Sequence, residues 1–482
     1  MKLFGTDGIR GEFGKPPINH NELLKIGYAF AKSLFDKKVG KILISNDGRE
    51  SSSAIEEALS LGIKHQGSEV FFIGLYPTPA LSIYLNSTAQ SSEMRAGIQI
   101  TASHNPYYDN GVKFFDNNGY KINSNIEETI EHYYFSHNEN IKEQHDRSLK
   151  VDHSDLFEKH YIEYIDDYFR LKMDNVDHPR DKFNILVDCA NGATSKIISK
   201  ILNNSFINLI PIFNEPKGKN INEKCGATDT NMLKSFISEF NDINANSSDY
   251  KKNVVSKTLK IDLGVAFDGD GDRAIFISPS GEEINGDEVL YILATFHKKN
   301  NNVDSVVGTQ MTNFGIQSLY KKNNINFIET QVGDKYVLNE MIKSGSSFGG
   351  ESSGHILVPV FDNYYVGDGI ITLINLLEVI FKQEKNINSL KKEITSIPSK
   401  LFNIKVINKE KFIEDAQNIK VTKDLKKMLN EEGRILLRPS GTENLVRLLI
   451  EHRNPKQIEI LSEYFYDNIN KNTIVWVKIN IL

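Results

Sequence analysis

The segment Asp268-Gly-Asp-Gly-Asp-Arg273 sets three carboxylates at alternate positions, with two glycines between them that leave the approach open. Carboxylates this close repel one another unless a positive charge sits among them. Oxygen ligands in this number suit a hard divalent cation such as Mg2+. A calcium loop of the EF-hand type is excluded, because Arg273 stands where that loop needs Gly and Pro279 where it needs a bidentate Glu. A second stretch, Thr101-Ala-Ser-His-Asn-Pro106, offers the hydroxyl of Ser103 and the titratable ring of His104, with the cation Lys113 close downstream. A lone Ser-His pair fits a capping turn equally well. With a cation site in the same chain, Ser103 reads as a nucleophile or a phosphate carrier.

Two further loops complete a set. Gly349-Gly-Glu-Ser-Ser-Gly-His355 presents Glu351, Ser353 and His355, donors and acceptors suited to sugar hydroxyls. Its glycines have Walker-A spacing, but His355 takes the place of the phosphate-binding Lys. It also satisfies Gly-x-Ser-x-Gly, which leaves a serine hydrolase as an alternative with Ser352 as nucleophile and His452 as the remaining downstream His. Arg438-Pro-Ser-Gly-Thr442 combines a guanidinium, the hydroxyls of Ser440 and Thr442, and Gly441 with its bare backbone N–H; Arg447 adds a second cation. That is a phosphate cradle, against the plainer reading of a Pro-Ser-Gly turn. The four loops together are the parts of a phosphoryl-transfer enzyme acting on a sugar phosphate. A non-catalytic sugar-phosphate sensor would need neither Ser103 nor the full carboxylate set.

These loops need strands to hold them. Gly97–Ile100 reads as a short buried strand feeding Thr101 directly, the end of an open α/β sheet at which ligands bind. Before it, strands at Lys41–Ser45 and Glu69–Ile73 alternate with helices at Ser51–His65 and Thr78–Asn86, as parallel βαβ units do. A second set has strands Phe183–Asp188, Phe206–Ile210 (closed by Pro211) and Leu263–Phe267, with a helix over 195–203. A third runs from a helix at Asp287–Lys298 through strands Ser305–Thr309 and Phe327–Thr330, helices Phe314–Lys322 and 334–343, and the loop 348–355. Lys382–Lys400 reads as a linker. The last segment opens on the alternating Leu401–Val406, places the phosphate loop between strands Arg434–Leu437 and Leu445–Ile450, and closes with a helix at 455–471. Residues 123–160 read as surface helix and 240–258 as a surface excursion. The expected architecture is α/β: three similar βα-type mixed-sheet domains and a smaller α+β C-terminal domain around a central cleft. Expected bounds are 1–155, 156–280, 281–395 and 396–482.

The 482 residues carry a net charge of −6, which gives no electrostatic footprint for nucleic acid. No run of about 20 apolar residues marks a membrane span, and no signal-peptide run opens the chain. Two cysteines, Cys189 and Cys225, fit a reducing compartment, so a cytoplasmic protein is expected.

In its ordered motifs the chain resembles the α-D-phosphohexomutase superfamily, and within it the bacterial phosphoglucosamine mutases. The matching segments are Phe4-Gly-Thr-Asp-Gly-Ile-Arg-Gly11, Ala102-Ser-His-Asn-Pro-Tyr-Tyr-Asp-Asn-Gly111, Asp268–Arg273, Val332-Gly-Asp-Lys-Tyr-Val337, Gly350–His355 and Arg438–Thr442. Within the second, Tyr107-Tyr108-Asp109-Asn110 most narrows the substrate. Two positions depart from the subfamily pattern: Ser352 stands where Gln is usual, and Asn444 where Pro is usual.

The resemblance implies four domains around one cleft and reversible conversion of glucosamine 6-phosphate to glucosamine 1-phosphate, for UDP-N-acetylglucosamine and cell-wall precursors. It implies a phosphoryl group on Ser103, one Mg2+ held by Asp268, Asp270, Asp272 and that phosphate, and a glucosamine or glucose 1,6-bisphosphate as primer and intermediate. Ser103, His104, Lys113, Arg10 and Arg273 are then the catalytic candidates. Glu351, Ser353 and His355 would bind the sugar, and Arg438, Ser440, Gly441, Thr442 and Arg447 the phosphate. A homodimer is the family-level expectation. The neutral-sugar mutases, acting on glucose or mannose phosphates, share the mechanism and stand as the alternative.

Overall fold

The computed structural model describes residues 2–5, 7–36, 38–90, 93–136, 151–152, 154–176, 182–202, 205–241, 259–301, 303–361, 364–430, 432–440 and 445–481. Of the expected surface helix over 123–160, Ser124–Ser136 and the start of Ser154–Lys172 are helical and 137–150 and 153 lie outside the described residues; of the expected excursion 240–258, residues 242–258 lie outside them. Four sheets follow one another along the chain.

The first contains β1 (Ile9–Glu12), β2 (Lys41–Asn46), β3 (Glu69–Leu75), β4 (Arg95–Ile100), β5 (Asp109–Phe115) and β6 (Val151–Asp152), in the order β1-β5-β4-β2-β3-β6. Its centre is parallel, as the strand–helix alternation requires. The loop carrying Ser103 instead makes β5 fold back antiparallel to β4, and β1 then pairs antiparallel with β5. The second sheet runs β11-β10-β9-β7-β8, built from β7 (Phe183–Asp188), β8 (Ile207–Ile212), β9 (Leu263–Phe267), β10 (Ala274–Ile277) and β11 (Glu283–Ile284). The third runs β13-β12-β14-β15-β16, from β12 (Ser305–Thr309), β13 (Asn326–Thr330), β14 (Phe348–Gly350), β15 (Ile356–Pro359) and β16 (Tyr365–Gly367). The fourth is antiparallel, β18-β19-β17-β20, from β17 (Ser399–Val406), β18 (Gly433–Pro439), β19 (Leu445–His452) and β20 (Ile474–Ile481). Among the described residues no helix is long and apolar enough to cross a membrane.

Several expectations are corrected. Pro211 does not close its strand. β8 is a sheet edge, so the missing N–H falls on the side with no partner and the strand continues to Ile212. The expected helix over 195–203 is a short 3-10 turn, Ala193–Lys196, followed by further turns. Ile197, Ile198 and Ile201 are buried while Lys196 and Ser199 are exposed, so the side-chain spacing is helical although the backbone forms turns. Lys382–Lys400 is not a free linker: Ile387–Lys392 is helical, and Ile387 and Leu390 join the main core. Phe348–Gly350 is strand rather than loop, because it pairs with both β12 and β15.

One apolar core runs without a break through the first three sheets, from Leu43, Ile73 and Tyr76 through Val187, Val265 and Phe267 to Val306 and Ile356. Its axis is the helix Gly369–Lys382, buried on every side from Gly369 to Ile380. Polar pairs set the position of this helix. Its cap Asp368 accepts from the N–H groups of Ile370 and Ile371 and from the Tyr161 hydroxyl at 2.7 Å, and Asn375 bonds the hydroxyl of Tyr168. Both tyrosines lie on the helix Ser154–Lys172. The fourth sheet has a core of its own, around Phe402, Phe412, Leu448 and Phe465. It meets the third domain through a few bonds: Asn313 with both backbone groups of Ile397, Arg434 with the Thr312 carbonyl, and Glu451 with the Phe314 N–H.

Candidate active site

β9 ends at Phe267, and the chain turns through 268–273 into the antiparallel β10. Asp268, Asp270 and Asp272 are all buried, each with an oxygen within 4.8 Å of the other two. Helix starts in two other domains hold the turn. The Thr78 N–H donates to the Asp270 carbonyl at 2.9 Å, and the Gly369 N–H to that of Gly271 at 3.0 Å. Oδ1 of Asp270 and Oδ1 of Asp272 are buried without a hydrogen-bond partner. Orphaned carboxylate oxygens are costly in a protein interior, and a hard cation is the group that satisfies them, so this donor set fits Mg2+. Burial, with Asp272 and Asp270 alongside, pushes the Asp268 carboxyl well above its ordinary value. Burial opposes charge on Asp272 too, but Lys113, His355 and Arg273 hold its carboxyl well below the usual range.

Ser103 reaches this cluster from the first domain. It takes a left-handed backbone, φ 53°, with its N–H donating to Thr101 Oγ1 at 2.8 Å. The turn aims its hydroxyl across the domain boundary, where it donates to Asp268 Oδ2 at 2.6 Å. Gly269 makes the approach feasible, since a Cβ there would stand 2.6 Å from the Ser103 carbonyl oxygen. His104 Nδ1 lies 3.4 Å from Ser103 Oγ. Burial, then Arg273 and Arg10, push this imidazole down to about 4, so the ring is neutral at neutral pH. Lys113 comes from β5 and lies 2.8 Å from Asp270, 3.0 Å from Asp272 and 3.3 Å from Asp7. Burial works against its charge, but these carboxylates outweigh burial and keep the ammonium protonated. Arg10 donates to the Ala102 carbonyl at 2.8 Å, and Arg273 stands 3.8 Å from Asp268 and Asp272.

The cleft beside these groups has a volume of about 430 Å³, and Arg10, His104, Arg273, Asp334, Glu351 and His355 are among the residues lining it. Glu351 Oε1 accepts from the Gly333 N–H at 2.9 Å, and the Ser353 hydroxyl is buried without a partner. His355 packs over Gly367, where a Cβ would lie 2.1 Å from Nε2. Burial opposes a charge on this imidazole, but Asp272 and Asp334 raise its pKa above the ordinary value. Arg438 and Arg447 face each other across β18 and β19, each with Nε buried and unbonded. Burial, then Arg447, lower the pKa of Arg438 below its ordinary value, with Glu351 opposing. Adjacent guanidiniums with unspent donors call for a shared anion. Ser440 is buried at the end of β18, whereas Gly441 and Thr442 lie outside the described residues. Replacing Arg438 by Ala is expected to raise KM for a sugar phosphate roughly 10- to 100-fold, with a smaller change in kcat, in steady-state assays.

Three further acidic and basic residues enter the site beyond those expected. Lys121 Nζ lies 2.5 Å from both Asp7 Oδ1 and Asp334 Oδ2, tying the first domain to the third, and Asp7 in turn reaches Lys113. The signal in the sequence was a glycine beside each carboxylate, Asp7-Gly8 and Gly333-Asp334, as the triplet stands among its own glycines. The serine-hydrolase alternative gains no geometry. His452 accepts from the Asn454 N–H in its own turn, and the Ser352 carbonyl is held by the Gly286 N–H.

Family models for phosphoglucomutase/phosphomannomutase match in chain order: α/β/α domain I over residues 1–141, domain II over 159–281, domain III over 285–397 and the C-terminal domain over 401–467. The chain belongs to this family. The phosphoglucosamine mutase of Histophilus somni (strain 2336) is 35% identical over 475 residues, covering 98% of this chain and 99% of the relative. That of Buchnera aphidicola subsp. Baizongia pistaciae is 36% identical over 475 residues, with 98% and 97% covered. Among solved structures, a phosphoglucomutase/phosphomannomutase family protein of Burkholderia thailandensis superposes with a TM-score of 0.73 at 20% identity, covering 97% of this chain and 96% of that one. This last likeness is one of fold.

Proposed function

We propose that the chain interconverts glucosamine 6-phosphate and glucosamine 1-phosphate by way of a phosphoryl group carried on Ser103. The observation that carries this reading is the Ser103 hydroxyl, donated at 2.6 Å to a buried carboxylate of a neighbouring domain. Asp268, Asp270 and Asp272, with a phosphoryl oxygen on Ser103, would hold one Mg2+, which supplies charge neutralisation to the transferring group. In the first half-reaction the Ser103 Oγ–P bond breaks as a bond forms to the free sugar hydroxyl, giving the 1,6-bisphosphate. The hydroxyl loses its proton, and a proton returns to Ser103 Oγ. After the sugar turns, its other phosphate passes back to Ser103 with the proton movements reversed.

The neutral His104 ring beside Ser103 is suited to accept the proton, and Lys113, Arg10 and Arg273 offset the developing charge. Glu351, Ser353 and His355 would orient the sugar hydroxyls. Arg438, Arg447 and Ser440, with Gly441 and Thr442, would hold the phosphate that is not reacting. The choice of an amino sugar rests on the relatives, named phosphoglucosamine mutases, that align along almost the whole chain. We place the reaction in the cytoplasm, feeding UDP-N-acetylglucosamine. Steady-state assays primed with glucose 1,6-bisphosphate are expected to give at least about tenfold higher kcat/KM for glucosamine 6-phosphate than for glucose or mannose 6-phosphate. The reverse order would assign the same chemistry to neutral sugars.

A further inference from the structure

The phosphate-carrier loop is held from two domains by residues outside the reacting set. Arg49, just past the end of β2, is buried, and its five guanidinium N–H groups are all spent. Nε donates to Asp47 at 2.9 Å, Nη1 to the carbonyls of Pro106 and of Asp109 (2.9 Å), and Nη2 to those of Ser103 (3.0 Å) and Asn105 (2.9 Å). Asp47 in turn accepts from Thr101 Oγ1 at 2.7 Å, so both ends of the turn are tied to one buried ion pair. From the second domain, Asn222 Nδ2 donates to the same two carbonyls, at 2.9 Å to Ser103 and 3.1 Å to Asn105. Asn222 is itself fixed, with a left-handed φ of 57° and its N–H on the Ala190 carbonyl at 2.9 Å. The Ser103 carbonyl thus takes one bond from each domain while the Ser103 hydroxyl points at Asp268. For a non-glycine residue the left-handed turn is disfavoured, and the bonds to its carbonyl help hold it there.

We propose that Arg49 and Asn222 are positioning residues that lock the Ser103 backbone against the carboxylate loop, so that the phosphoryl group is presented in register with Asp268. Asn222 is the component that couples the two domains, and Arg49 fixes the loop within its own. Neither lines the cleft, so both act on the transfer step and leave sugar binding alone. The proposal rests on Ser103 being the phosphate carrier.

The test uses the full-length chain with Arg49→Lys and Asn222→Ala. Lys cannot replace a five-donor fork, and Ala removes the bonds from the second domain. An ångström of misplacement at the reacting atom is expected to lower kcat roughly 10- to 100-fold, with KM for the sugar phosphate within about twofold of the parent. After priming with glucose 1,6-bisphosphate, intact-mass measurements should show the Ser103 phosphate lost to water faster in both variants. If Arg49→Lys does not fold, Asn222→Ala decides. A folded Asn222→Ala variant with parental kcat and parental phosphate lifetime overturns the proposal, as does a rise in KM that accounts for the whole defect. A parent chain that never carries phosphate on Ser103 removes the carrier reading itself, and the proposal with it, a result distinct from any difference between variants.

Discussion

Ser103→Ala is expected to abolish mutase turnover, with a loss on the order of 10⁴-fold or more. The hydroxyl is placed against the carboxylate cluster as a carrier of a phosphoryl group between two positions of a sugar must be, and the two nearest threonine hydroxyls of the first domain are already engaged. Thr101 spends its hydroxyl on Asp47, and Thr78 bonds Asp270 from its own helix start. The substitution leaves the backbone clamps on the loop in place and removes a hydrogen bond to the buried Asp268 carboxylate. A folded chain with a modestly lowered melting temperature, loss of the phosphate from intact mass and loss of turnover should therefore appear together. Activity within tenfold of the parent would remove Ser103 from the mechanism.

Asp268→Asn separates what the carboxylate does for chemistry from what it does for the fold. Asn keeps the shape but has one acceptor oxygen for the Ser103 hydroxyl and the Arg273 N–H, and it removes one of three charges available to a cation. Affinity for Mg2+ is expected to fall on the order of 100-fold, since ligand charge sets the binding constant of such sites, and turnover with it. In chelator, the sign reverses. Burial and two neighbouring carboxylates disfavour charge on Asp268, so a neutral amide relieves that repulsion. The metal-free variant should be more stable than the metal-free parent, by roughly 1 kcal/mol. Calorimetric Mg2+ titration and melting curves in chelator check the two halves. A variant that binds Mg2+ as the parent does would dismiss the triplet as its site.

What could be read from the chain followed the range of each interaction. The carboxylate triplet, Ser103 with His104, and the Glu351–His355 turn each lie within a few residues, so spacing alone exposes their chemistry. Strands such as β9 were legible for the same reason: an apolar run bounded by turn residues. Arg49 and Asn222 were not, because their partners are backbone carbonyls 54 and 119 residues away, and a carbonyl carries no residue identity. The Asp7–Lys121–Asp334 bridge joins three segments, with separations of 114 and 213 residues. Periodicity misled at the start of the second domain: buried Ile197, Ile198 and Ile201 with exposed Lys196 and Ser199 keep helical spacing, yet the backbone there is a 3-10 turn followed by further turns.

The continuous core of the first three domains bears on how the molecule comes apart. The carboxylate loop and the sugar loop stand on the core shared by the first three domains, whereas Arg438 and Arg447 stand on a fourth domain with its own interior. A sugar phosphate that touches both acts as a reversible crosslink, and by linkage it stabilises the docked arrangement of the two as its concentration rises above its dissociation constant. Recognition of the whole substrate is then also the event that makes the chain a single thermodynamic body.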